Sequence, residues 1–132
     1  MSIKITDIAF TGTPVTDMKK ARAFYEGVLG LAPSHVFEQE NFCWIEYDIG
    51  PGKNTLAIAN GNPQWLPSPQ GTTLGLEVAD FDAAVAHLRA NNVTFNLEPM
   101  DTPVCRMAIV ADPDGNSIVI HCCKKKPENL KA

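Results

Sequence analysis

Asn54-Thr55-Leu56-Ala57-Ile58 returns in the second half of the chain as Asn116-Ser117-Ile118-Val119-Ile120. Asp17, placed ahead of one helical run, returns 63 residues later as Asp80, ahead of another. Working outward from this repeat, the turn signals and apolar periodicity run in the same order twice. Ile3 to Thr13 is apolar and β-branched and predicts a strand. Thr16-Asp17 then caps a helix reaching Leu29, with Met18, Ala21, Phe24, Tyr25 and Val28 on one face and Gly30 as its stop. Extended segments follow at Ser34 to Glu40, Phe42 to Ile49 and Thr55 to Asn60. They are separated by Gln39-Glu40-Asn41 and Gly50-Pro51-Gly52.

The segment 62–71 holds Pro63, Pro67 and Pro69, which excludes a central strand and predicts a linker. The pattern then restarts. Thr72 to Ala79 predicts a strand, and Asp80 caps a helix with Phe81, Val85 and Leu88 on its buried face, ended by Asn91-Asn92. Strands are predicted at Val93 to Leu97, Val104 to Ala111 and Ser117 to Cys122. The last two are joined by the turn Asp112-Pro113-Asp114-Gly115. The predicted fold is α+β: one domain over 1–132 with a βαβββ module at 1–61, the linker at 62–71, a second βαβββ module at 72–123 and a polar tail at 124–132. Neither module covers its sheet alone, so the two are expected to form a half-barrel around a ligand cavity, paired across a dimer.

Composition restricts the function. A chain of 132 residues with 45% apolar content is enough for one core. With 11 Lys+Arg against 15 Asp+Glu there is no broad positive field, which argues against nucleic acid and anionic membranes as partners. The basic cluster Lys124 to Lys126 reads as a solubilising end. No stretch approaches the about 20 apolar residues of a membrane span, and no secretory leader is evident. Cys43, Cys105, Cys122 and Cys123 lack CxxC spacing. They are expected to be reduced thiols of a cytoplasmic protein.

Pro14-Val15-Thr16-Asp17-Met18, Phe24-Tyr25 and Leu29-Gly30-Leu31 resemble the first-module signature of the vicinal-oxygen-chelate superfamily. Glu77 to Ala84 and Asp112-Pro113-Asp114-Gly115-Asn116 resemble its second-module passage and final hairpin. The superfamily includes glyoxalase I, extradiol dioxygenases, epimerases, fosfomycin-modifying enzymes and inert bleomycin-binding proteins, so chemistry has to be argued apart from fold. The resemblance implies four metal-ligand positions, which fall here at Phe10, Ala57, Thr73 and Val119. None offers an imidazole or a carboxylate, and only Thr73 has even a weak hydroxyl. No metal or other cofactor is expected.

Several polar residues near these positions are candidates for chemistry. His121 lies two residues beyond Val119 and shares its face by strand alternation. It reads either as a ligand-binding imidazole or general base, or as a hydrogen-bonded structural histidine. Glu77 lies four residues after Thr73 and is costly if inward without a partner. Arg106 is a candidate partner for it or a clamp for an anion. Cys105 beside it reads as a nucleophile or as a small buried hydrophobe. His87 stands at the position of Phe24 and reads as structural, and His35 reads as a surface residue. Phe10, Trp44 and Trp65 suit a wall that stacks on planar or apolar ligands, or ordinary core packing.

The expected function is metal-free, glyoxalase/bleomycin-resistance-like binding or sequestration of a small planar or apolar molecule by a homodimer. The expected ligand-binding residues are Phe10, Trp44, Trp65, Thr73, Glu77, Arg106, Val119 and His121. The alternative is an enzyme, a lyase, isomerase, thiol transferase or dioxygenase, that uses His121, Glu77, Cys105 and Arg106, with or without a displaced metal site.

Overall fold

The computed structural model describes residues 3–4, 6–52 and 54–124. The chain divides between Pro67 and Ser68 into two compact units. The first contains β1 (Thr11–Pro14), α1 (Met18–Arg22), a π-helical turn (Ala23–Val28), β2 (His35–Gln39), β3 (Phe42–Ile49) and β4 (Asn54–Asn60). Its sheet runs β1-β4-β3-β2, with β1 parallel to β4 and the other pairs antiparallel. The second contains β5 (Leu74–Glu77), α2 (Phe81–Ala90), β6 (Phe95–Asp101), β7 (Cys105–Ala111) and β8 (Ser117–Cys123). Its order is β5-β8-β7-β6, again with only the first pair parallel. The repeat read from the sequence is therefore a repeat of topology: an α+β chain of two four-stranded mixed sheets.

Both helices start as their caps require. The Asp17 carboxylate accepts from the Lys20 N–H at 3.1 Å and the Asp80 carboxylate from the Ala83 N–H at 3.0 Å, satisfying donors that have no partner within the helix. Three boundaries differ from the sequence reading by more than two residues. The first strand begins at Thr11, not Ile3, because its parallel register meets Leu56 there and β4 begins only two residues earlier. The described residues upstream join no ladder, and Ile3 and Ile8 are exposed. The α-helical geometry of the first helix ends at Arg22 and gives way to a wider turn in which the Leu29 N–H reaches back five residues to the Phe24 carbonyl at 2.9 Å. The wider turn buries Phe24 and Tyr25 together. The third difference is β6, which runs on through Pro99 to Asp101. Proline is tolerated because β6 is an edge strand with two register shifts, so its missing N–H breaks no ladder. The polar tail beyond Lys124 lies outside the described residues.

The core of the first unit is an aromatic stack with a half-buried polar anchor. Tyr25 lies over Tyr47 with ring centroids 6.4 Å apart and planes inclined by 23°, above Ile45, Leu56 and Ile58, all nearly inaccessible. The Tyr47 hydroxyl donates to Glu26 at 2.8 Å, and the same carboxylate oxygen accepts from Arg22 Nε at 2.6 Å. The Arg22 guanidinium holds the Glu26 carboxyl below its ordinary 4.5, and burial pushes the Tyr47 phenol up. In the second unit Phe81 and Leu88 of α2 are buried, as are Ala108, Val110, Ile118 and Ile120 of the sheet. The β7–β8 hairpin is pinned by buried Asp112. Its carboxylate accepts from the backbone N–H of Asp114 and Asn116 and from Asn116 Nδ2, each at 2.9 Å, while Gly115 supplies the φ of +85° that the turn needs.

Glu26 titrates lower in the folded chain than in the unfolded one. Its contribution is therefore present above its ordinary pKa and lost as pH falls through the folded value. Glu26→Gln is expected to cost about 1–2 kcal/mol at neutral pH and to flatten the acid side of the stability curve. Urea unfolding at a series of pH values measures both effects.

Candidate functional site

Strand alternation and register divide each sheet into a helix-facing side and an open side. In the first unit Cys43, Ile45 and Tyr47 face the helix. Trp44 and Glu46 face away and share that side with Ala59 and Ala57, their cross-strand partners, and with Gly12 and Pro14 of β1. Small residues on β1 and β4 leave room above the sheet, and aromatic rings take it. Phe10 meets Trp44 edge to face with centroids 5.0 Å apart. A Cβ on Gly12 would lie 3.0 Å from Trp65, so the indole rests on bare backbone. Trp44 Nε1 donates to Glu46 at 2.8 Å, which fixes the tilt of its ring. Phe10 is 45% exposed, and both tryptophans are half-buried. The result is an aromatic surface with one carboxylate at its edge.

The open side of the second sheet is of a different kind. Met107, Ile109, Val119 and His121 share it with Glu77 and Gly75. His121 Nδ1 lies 2.6 Å from Glu77 Oε1, and Glu77 Oε2 accepts from the Cys123 N–H at 2.7 Å. The carboxylate is thus held at both oxygens. It orients the imidazole and leaves Nε2 as the ring nitrogen not engaged by Glu77. A carboxylate at one ring nitrogen orients an imidazole and favours one tautomer over the other.

Not all the residues singled out from the sequence come together. Phe10, Trp44 and Trp65 meet in the first unit, and Glu77, Val119 and His121 share the open face of the second. Thr73 is exposed just ahead of β5. Arg106 is on the other side: its register partner is Cys122, and its guanidinium pairs with Asp82 at 2.9 Å and sits 4.6 Å from the centroid of Phe81. It therefore does not meet Glu77 or His121. Asp82 raises its pKa, and Arg106 in turn lowers that of Asp82. Cys105 is 9% exposed, and its sulfur accepts from the Thr102 hydroxyl at 3.3 Å. His87 is exposed, not packed like Phe24, because the regular turn of α2 does not rotate that position inward. His35 is exposed on β2. Glu46, Met107 and Ile109 escaped the sequence reading, although alternation from Trp44 and the register of the Asp112 hairpin opposite Val119 and His121 would have found them.

The four positions at which the resemblance sets metal ligands do not fit a divalent ion. Ala57 is fully buried beneath the aromatic surface and Val119 is apolar. Among the described residues no three His, Cys, Asp or Glu side chains converge.

A model of the Glyoxalase/Bleomycin resistance protein/Dioxygenase superfamily matches residues 7–120. The chain belongs to that superfamily. Two solved structures of similar size to which the chain is similar come from Streptomyces sp. CB03234. One is TnmS3, an antibiotic binding protein, with a TM-score of 0.75 and 25% identity over 93% of this chain and 100% of that one. The other is a glyoxalase/bleomycin resistance protein, with a TM-score of 0.71 and 28% identity over 86% and 98% of the two chains. The trypanothione-dependent glyoxalase I of Leishmania major shares the fold at 20% identity and a TM-score of 0.72, over 88% of this chain and 86% of its own. A search of curated proteins found no match. Structures that share this fold thus include a protein described as antibiotic binding and a glyoxalase I.

Gly12→Ala is expected to push Trp65 outward by a few tenths of an ångström, at a cost of about 1 kcal/mol from overpacking. Tryptophan emission, red-shifted as an indole enters water, and urea unfolding measure the two outcomes.

Proposed function

We propose that this superfamily member is a metal-free binding protein for a small planar or apolar molecule, acting in the cytoplasm as a homodimer. The observation that carries the reading is the Phe10, Trp44 and Trp65 surface over Gly12, Ala57 and Ala59. Its rings are held in place by protein contacts yet keep area open to a ligand, so binding would cost little side-chain ordering. Glu46 at its edge would select a ligand with a hydrogen-bond donor. The likeness to an antibiotic binding protein supports the same class of ligand. A family-type metal centre would need donors where this chain has Phe10, Ala57, Thr73 and Val119.

A second reading rests on the His121–Glu77 contact of 2.6 Å. In it the pair acts as a metal-independent general base of a lyase or isomerase, with Val119, Met107 and Ile109 as the apolar floor beneath the substrate. Arg106 has no part in this version, because Asp82 and Phe81 hold it on the helix side. Turnover that is lost in His121→Ala while binding persists would favour this reading over simple sequestration.

A thermal-shift and fluorescence panel tests the binding reading. An anthraquinone dye is expected to quench tryptophan emission saturably and raise the melting temperature. Trp44→Ala should weaken binding about tenfold, equivalent to about 1.4 kcal/mol. Chelator, Zn, Ni and Mn should each leave the melting curve unchanged. Loss of several degrees on chelation would overturn the metal-free reading. The dimer proposal rests on four sheet edges whose backbone groups call for cover. Multi-angle light scattering at micromolar concentration should give twice the chain mass, and a monomer mass would refute it.

A further inference from the structure

We propose that Cys105 and Cys123 form a reversible intramolecular disulfide, making the end of the second sheet a thiol-oxidation site that responds to hydroperoxides and low-molecular-weight disulfides. The two cysteines are direct register partners across the antiparallel β7–β8 pair, and both side chains lie on the open face. The hydrogen-bond directions identify the kind of pair. The Cys105 N–H donates to the Thr102 hydroxyl at 2.9 Å and its carbonyl accepts from the Thr102 N–H at 2.8 Å, both away from β8. The Cys123 N–H donates to Glu77 on the β5 side, away from β7. The neighbouring residues carry the ladder instead, with the Lys124 N–H donating to the Val104 carbonyl at 2.9 Å. Cys105 and Cys123 are therefore a non-hydrogen-bonded pair, the close kind, with Cα atoms about 4.5 Å apart. A disulfide takes Cα separations of about 4.4–6.8 Å, so the cross-link needs side-chain rotation and little backbone movement.

Both thiols are free, and their surroundings divide the chemistry between them. Cys123 is exposed, its sulfur 3.2 Å from the Lys124 carbonyl, and meets the oxidant first. Cys105, buried beside it on the neighbouring strand, resolves the intermediate. With a disulfide RSSR, the Cys123 thiolate attacks one sulfur, the S–S bond breaks and one RSH leaves. Cys105 then attacks the Cys123 sulfur and releases the second RSH, so the two protons lost by the cysteines end on the two released thiols. With a hydroperoxide, Cys123 becomes a sulfenic acid as the corresponding alcohol or water leaves, and Cys105 condenses with it to release water. Cys122 has no such route. It is the partner of Arg106 on the helix side, with its sulfur toward the Ala79 carbonyl. Because the Cys123 N–H also holds Glu77, the cross-link would tie the redox state of this strand end to the Glu77–His121 contact.

Trypsin cuts after Arg106, which separates Cys105 from Cys122 and Cys123. The protein is treated with oxidised glutathione or with hydrogen peroxide, denatured and digested without reduction. Titratable thiols are expected to fall from the four of the sequence to two, with the Cys105 peptide joined to the Cys123 peptide and released by dithiothreitol. Cys122→Ser should keep the cross-link and Cys123→Ser, an exposed change, should abolish it. Four thiols after oxidation, a link that survives Cys123→Ser, or a link found only between two chains would each overturn the proposal.

Discussion

Each sheet of this chain has a single helix, and a single helix covers one face. Ile45, Tyr47, Leu56 and Ile58 in one unit, and Ala108, Val110, Ile118 and Ile120 in the other, are buried on that covered face and account for folding. The residues that alternate with them are released from this duty. Trp44, Glu46, Val119 and His121 all occupy positions where a side chain need only tolerate the sheet beneath it. The candidate sites are there because burial has already been assigned to the other side.

Repeating the module preserved the frame and allowed the open faces to diverge. Gly12 and Gly75 occupy equivalent positions on the first strand of each sheet, facing Ala57 and Val119. Trp44 corresponds to Met107 by its pairing with Ala59, whose counterpart opposite Met107 is His121. One face became aromatic over alanines, the other aliphatic beside an imidazole and a carboxylate. A shared backbone thus carries one surface suited to stacking and another suited to proton exchange.

Much of this was legible in the sequence where local chemistry decides the outcome. Phe42 to Ile49 was read to the residue, and both aspartate caps were read, because alternation and capping act over a few positions. The π-helical turn was not legible, since the packing it accompanies, Tyr25 over Tyr47, is a contact between residues far apart in sequence. Nor was the late start of β1, which depends on where β4 begins. The side taken by Arg106 was recoverable. The Asp112 turn sets Ala111 opposite Ser117, and counting back along β7 brings Arg106 opposite Cys122, on the helix side. Phe10, Trp44 and Trp65 were named from the sequence as one wall, whereas the support of Trp65 on the bare backbone of Gly12 was not legible there.

The edge strands differ in a way that bears on how the protein behaves in a crowded solution. β1 contains Gly12 and ends at Pro14, β5 contains Gly75, and β6 is interrupted by Pro99 and two register shifts. Such features frustrate the templated growth of one sheet on another. β2 alone, His35-Val36-Phe37-Glu38-Gln39, is an edge free of glycine and proline, with every residue exposed and Val36 and Phe37 both apolar. Its defences are the charge of Glu38 and its short length. If partially unfolded copies of this chain accumulate, the first intermolecular β-pairing, and with it the nucleus of any fibre, belongs to that strand.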